Sequence, residues 1–194
     1  MKQTSSSKIA AVFRTRISVR ILSQIAVLIA LTYVLERLIP IINLPDLRIT
    51  LSFIPMMICG MLFGPVWGAA AYGIADIIGW PIMGQPPIPL ILTARIVNGF
   101  LFGFILHREN IKMWPHAILS ALLVQIICGM WLTTMGLSQL RGVPYQVLLW
   151  MRLPQFGILI ALQIIVFPVL LKLRYALIKA GHVTVKNNTA YKSE

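Results

Sequence analysis

Of the 194 residues, 58% are hydrophobic and only 11% are charged. A soluble domain of that length cannot enclose so much apolar surface, so a lipid bilayer must be the solvent for most of the chain. The net charge of +12 does not point to nucleic acid, because twelve of the seventeen Lys and Arg (Lys2, Lys8, Arg14, Arg16, Arg20, Arg108, Lys112, Lys172, Arg174, Lys179, Lys186 and Lys192) fall in or next to two terminal tails and in one central loop.

A hydrocarbon core of about 30 Å takes roughly 20 helical residues, and six segments meet or approach that length. A basic tail, 1–18, comes first. The span after it runs from about Val19 to Pro40. Its apolar run is too long for a signal peptide and lacks an A-x-A cleavage site, so it is expected to remain as a span. The second span, about Arg48 to Phe63, is short and carries Pro55, which predicts a tilt or kink. The third follows Gly64-Pro65 and reaches about Met83, the fourth covers about Leu90 to Leu106, and the fifth about Pro115 to Leu137. The sixth ends near Leu173 and starts either near Gln146 or at Pro154, as a first-turn proline. A membrane domain over 19–180 is thus followed by a polar tail, 181–194, that reads as disordered. The expected fold is an all-α bundle of six transmembrane helices.

The basic residues fix the topology. Both tails and the His107–Pro115 loop carry them, so the positive-inside rule puts both termini in the cytoplasm, with anionic lipid as a possible aid. Connections 1–2, 3–4 and 5–6 then face outward. Small residues recur at four-residue spacing in Ala26-xxx-Ala30, Gly64-xxx-Gly68, Ala71-xxx-Ala75-xxx-Gly79 and Gly99-xxx-Gly103. Such stripes let helix backbones approach in lipid. Those of the third and fourth spans are expected to pack inside the bundle, whereas Ala26 and Ala30 could also face another protein.

Five arginines, Arg37, Arg48, Arg95, Arg141 and Arg152, fall on the outward side against three acids, Glu36, Asp46 and Asp76, leaving +2 where positive charge is not expected. Glu36 and Arg37 read as interfacial anchors, and Asp46 and Arg48 as a solvated pair. Asp76 and Arg95 lie about 10 and 8 Å below the outer ends of neighbouring spans, close enough for an ion pair. Arg141 and Arg152 have no local acid, and the arginine fork suits carboxylates. At the same level lie Trp80, Gln85, Asn98, Trp131, Tyr145, Trp150 and Gln155. Asn98 follows Arg95 by three residues and shares its helix face. Several of the aromatics suit an interfacial belt; together with the amides and arginines they would also suit a flat ligand bearing carboxylates.

Enzymatic chemistry is not indicated. There is no G-x-x-x-x-G-K-[ST], no G-x-S-x-G and no H-E-x-x-H, and His107, His116 and His182 fall on the cytoplasmic side. No metal and no cofactor is expected; Cys59 and Cys128 read as buried small hydrophobes. Six short spans are also few for a self-sufficient carrier.

The stretch RITLSFIPMMICGMLFGPVWGAAAYGIADIIG (Arg48–Gly79), with its F-x-P…G-x-x-F-G-P-x-x-G…D core, resembles the S components of energy-coupling factor transporters. PIPLILTARIVNGFLFGFIL (Pro87–Leu106) and WLTTMGLSQLRGVPYQVLLWMRLPQ (Trp131–Gln155) are similar to the folate-type members. The resemblance implies a multi-pass protein of a prokaryotic plasma membrane that binds a vitamin beneath its outer loops. It also implies docking through Ala26 and Ala30 onto a transmembrane coupling subunit, with two ATPase subunits driving a toppling motion that releases the vitamin inside. The expected ligand is folate, held by Arg48, Arg95, Arg141 and Arg152, with Trp131 and Tyr145 lining an aromatic slot and Asp76, Asn98 and Gln155 nearby. Another anionic vitamin such as pantothenate, or a stand-alone solute carrier, is the alternative.

Overall fold

The computed structural model describes residues 19–37, 42–43, 48–83, 87–107 and 113–179. Both expected terminal tails lie outside them. Among the described residues the chain folds as six helical rods. The first is α1 (Val19–Arg37). A two-residue antiparallel ladder, β1 (Ile42–Asn43) with β2 (Arg48–Ile49), pairs Asn43 with Arg48. Next come α2 (Phe53–Phe63), α3 (Pro65–Met83) and α4 (Pro89–Leu106). The fifth rod changes form along its length: α5 (Met113–Leu123), a π-helical stretch (Val124–Thr133), then α6 (Thr134–Arg141). The sixth is α7 (Tyr145–Lys179). Among the described residues, three helices are long and apolar enough to cross a membrane, Pro89–Leu106, Trp114–Arg141 and Tyr145–Leu177, with shorter apolar helices at Ile21–Glu36 and Phe53–Phe63.

Two boundaries correct the sequence reading. The second span does not start at Arg48, which belongs to β2; α2 starts at Phe53 and has 11 residues. Pro55 therefore sits in the first turn, where its missing N–H costs no helical hydrogen bond, and gives no reason for the expected kink. The sixth span takes the earlier of its two starts. It begins at Tyr145 and holds both Pro154 and Pro168 inside a helix of 35 residues, about 52 Å long.

Where α2, α3 and α4 meet, their backbones touch. A Cβ on Gly99 would collide with the Gly68 carbonyl oxygen, and one on Gly60 would stand 2.8 Å from the Gly103 nitrogen. Only glycine permits this, which accounts for the G-x-x-x-G stripes on both helices. Ala71 and Ala75 are likewise buried. The core around this crossing holds Met56, Met57, Met61, Tyr72, Phe102, Leu106 and Phe167, and Cys59 and Cys128 are buried free thiols. Gly64, at a φ of 90°, makes the tight turn between α2 and α3. Beside it His107 donates from Nδ1 to the Met61 carbonyl at 3.1 Å, and the buried Arg174 donates to the Leu106 carbonyl at 3.1 Å, satisfying an end-of-helix acceptor.

Candidate functional site

The polar residues expected to face outward divide into two groups. The first is centred on Arg95, on α4. Its Nη2 forms a hydrogen-bonded ion pair with Glu36 Oε1 at the end of α1, and its Nε lies 3.6 Å from Asp76 Oδ1 on α3. The guanidinium also stands 5.8 Å from the centre of the Tyr72 ring. Asp76 is buried while Arg95 and Glu36 keep partial exposure, so this is a partly shielded cluster joining three helices. The expected Asp76–Arg95 pair is present. Glu36, read as an interfacial anchor, supplies a second carboxylate. One turn on, the side-chain oxygen of Asn98 is buried with no hydrogen-bond partner among the described residues.

The second group is centred on Arg152, on α7, which is 8% exposed. Because α7 begins at Tyr145, Arg152 lies in its third turn and not in a surface loop. Its Nε donates to Gln155 Oε1 at 3.3 Å and its Nη1 to Thr134 Oγ1 at 3.2 Å, while the Phe156 ring covers the guanidinium face at 5.5 Å. Among the described residues no carboxylate pairs with it. A buried charge held only by neutral partners costs several kcal/mol unless an ion of opposite sign joins it. Thr134 and Phe156 were not anticipated. The only sequence signal for either was a hydroxyl inside an apolar run and a ring adjoining Gln155.

The remaining candidates are spread out. Arg141 is exposed in the last turn of α6, and the Tyr145 hydroxyl donates to the Met130 carbonyl at 3.1 Å. Arg48 is placed by its backbone in β2, and Arg37 ends α1. The structure does not bring Trp131 to either group. Val124, Gln125, Cys128 and Thr134 take the inner face of the fifth rod, which leaves Trp131, 67% exposed, on an outer apolar stripe with Ile126 and Met135. Trp150 is also exposed, as an interfacial belt requires. No cluster of His, Cys, Asp and Glu that could hold a metal occurs among the described residues.

Ala26 and Ala30 lie on the exposed face of α1 with Leu22, Val27 and Leu31. Beside them a groove of about 300 Å³ opens between α1, α2 and the end of α7, lined by Ser23, Val27, Ile58, Phe63 and Leu177 among others.

Comparison with known proteins agrees with this architecture. Residues 20–171 match the family model for the ECF transporter substrate-specific component. Among curated proteins, the chain is 24% identical over 149 residues to the folate transporter FolT of Clostridium novyi (strain NT), covering 76% of this chain and 86% of the relative. It is 27% identical over 137 residues to FolT of Streptococcus mutans serotype c, covering 67% and 73%. A crystal structure of FolT bound with folic acid superposes with a TM-score of 0.72 at 26% identity, covering 79% of this chain and 93% of that one. The S component for biotin from an ECF-type ABC transporter shares the fold, with a TM-score of 0.62 at 23% identity over 90% of this chain and 95% of that one. A match over most of the chain, carried on the same six-helix bundle, makes this protein a member of the family of ECF transporter substrate-specific components, a substrate-binding subunit and not an enzyme.

Proposed function

We propose that this S component binds folate at the outer face of a prokaryotic plasma membrane, and that Arg152 receives one carboxylate of its glutamate tail. The observation that carries the proposal is a buried guanidinium with no acidic partner among the described residues. The likeness to FolT supports the choice of vitamin. Arg141, near the outer rim, and Arg48, in the ladder, are the candidates for the second carboxylate. The buried Asn98 oxygen is an acceptor for the pterin amino group. Arg95 serves differently, because its two carboxylate partners make it the fastening between α1, α3 and α4.

Transport then follows the logic of the family. With both termini cytoplasmic, the loaded bundle docks through the α1 face carrying Ala26 and Ala30 onto a transmembrane coupling subunit. Two ATPase subunits drive its toppling, and the vitamin leaves on the inside. Among the small-residue stripes, this one is left facing outward while those of α3 and α4 are used within the bundle, which supports its assignment to a partner.

Titration of the purified protein with folate, pantothenate and riboflavin tests the substrate. Tight folate binding that weakens about a hundredfold in Arg152→Ala supports the reading, since truncating one partner of a desolvated charge pair costs about 2–5 kcal/mol. Binding of riboflavin or pantothenate in preference to folate overturns it. Uptake into vesicles lacking any ATPase partner would instead favour a stand-alone carrier.

A further inference from the structure

The π-helical stretch of the fifth rod carries an unusual set of side-chain hydrogen bonds. Three consecutive carbonyls each accept one from a hydroxyl: Cys128 from Thr133 at 2.7 Å, Gly129 from Thr134 at 2.9 Å and Met130 from Tyr145 at 3.1 Å. In an α-helix a threonine hydroxyl reaches the carbonyl three or four residues back. Here Thr133 and Thr134 reach five residues back, a spacing that the wider π turn brings into line. Thr134 is completely buried. Its single hydroxyl proton is committed to Gly129, so the oxygen can only accept on its other side, and what it meets there is Arg152 Nη1.

That bond fixes how Arg152 is presented. Gln155 takes the Nε proton, Thr134 takes one Nη1 proton, and the Phe156 ring covers one face. Of five guanidinium donors, three remain without a partner among the described residues, among them both on Nη2. We propose that Thr134 is a positioning residue for substrate recognition. Held in register by the π turn, its hydroxyl orients the Arg152 guanidinium so that the unused donors meet a ligand carboxylate without rearrangement. Preorganisation of this kind raises affinity by removing the ordering cost from the binding step. The proposal rests on the assignment of Arg152 to a folate carboxylate.

The test compares folate with its neutral dimethyl ester in wild type, Thr134→Val and Thr134→Ser. Hydrogen bonds to charged groups support a loss of roughly tenfold in folate affinity for Thr134→Val. Ester affinity should change less than about twofold, and Thr134→Ser should restore discrimination between the two ligands. Equal losses for folate and ester in Thr134→Val would make the residue merely structural and overturn the proposal, as would undiminished discrimination. Thr134→Ala serves as a second variant, and failure of both the Val and Ala variants to fold would assign the hydroxyl to the π turn alone and overturn the proposal as well. If wild type does not distinguish folate from ester, or Arg152→Gln binds folate normally, the Arg152 assignment itself has failed, an outcome visible before any Thr134 variant is read.

Discussion

Arg95 and Glu36 lie 59 residues apart in sequence and meet in a hydrogen-bonded ion pair that ties the fourth span to the end of the first. The neighbouring contact to Asp76 adds the third span to the same knot. This arginine and Arg152 are both largely shielded cations, yet they should respond oppositely to removal. Glu36→Gln should cost about 1–2 kcal/mol, below the fully buried limit because the pair is partly exposed and Asp76 remains. Arg95→Ala should cost more, since it strips the cation from two carboxylates. Arg152→Ala should leave the ligand-free protein as stable as wild type or more so, because the charge it removes has no acid beside it among the described residues. Thermal unfolding in detergent without ligand would read all three, and a destabilised Arg152→Ala with a neutral Arg95→Ala would reverse the assignment.

His107 predicts a pH dependence on the opposite side of the bundle. Burial lowers its pKa below the ordinary 6.5, the nearby Arg174 guanidinium acts in the same direction, and the hydrogen bond to Met61 opposes both. The unfolded chain therefore binds its proton more readily than the folded one. Linkage then gives a stability contribution fully present above about pH 6.5 and lost as pH falls through that value toward the folded-state pKa. Unfolding midpoints measured from pH 8 to pH 5 should drop more steeply in wild type than in His107→Asn. Parallel curves would show that His107 does not carry the effect.

Gly99 predicts a local packing failure. Its missing Cβ is what lets α4 lie against the Gly68 carbonyl. Gly99→Ala should cost about 1–3 kcal/mol by forcing the two backbones apart, and Gly99→Leu should prevent a stable bundle from forming. The comparison with Gly157→Ala is informative, because a Cβ there meets nothing within 4 Å. Equal behaviour of the two alanine variants in a detergent unfolding series would exclude backbone contact as the reason for the glycine.

Much of this architecture was legible because bilayer thickness and chain punctuation are local constraints. Gly64-Pro65 marked the turn after α2, and Pro89 marked the first residue of α4. The outer arginines were legible as an anomaly of charge placement, but their partners were not. Glu36 and Arg95 meet because α1 packs on α2 and α3 in a way that brings its end to α4, and no periodicity encodes that placement. Arg48 fell outside its helix because two residues pair as a ladder, a tertiary event too short to leave a pattern. The π stretch is equally silent in sequence, since its composition is that of any apolar span. It turns Trp131 outward and Thr134 inward, so the two residues exchange the importance a reader of the sequence would assign them.

The last prediction separates binding from coupling. Ala26 and Ala30 are exposed on α1, away from the Arg152 group and beside the groove that reaches Phe63 and Leu177. Enlarging both, as Ala26→Leu with Ala30→Leu, adds apolar surface to a face that is already exposed and apolar, so neither stability nor folate affinity should change appreciably. A docked coupling subunit would meet these side chains directly, because small-residue stripes work by letting helix axes approach to backbone contact. Co-purification with the coupling subunit should therefore fall at least about tenfold, as overpacking a close interface by 1–3 kcal/mol implies. Uptake by the assembled transporter should fall with it. Retained co-purification would remove this face from the interface and leave the small stripe of α1 without a partner, whereas lost folate binding would mean that α1 shapes the vitamin site through Glu36 and its grip on Arg95.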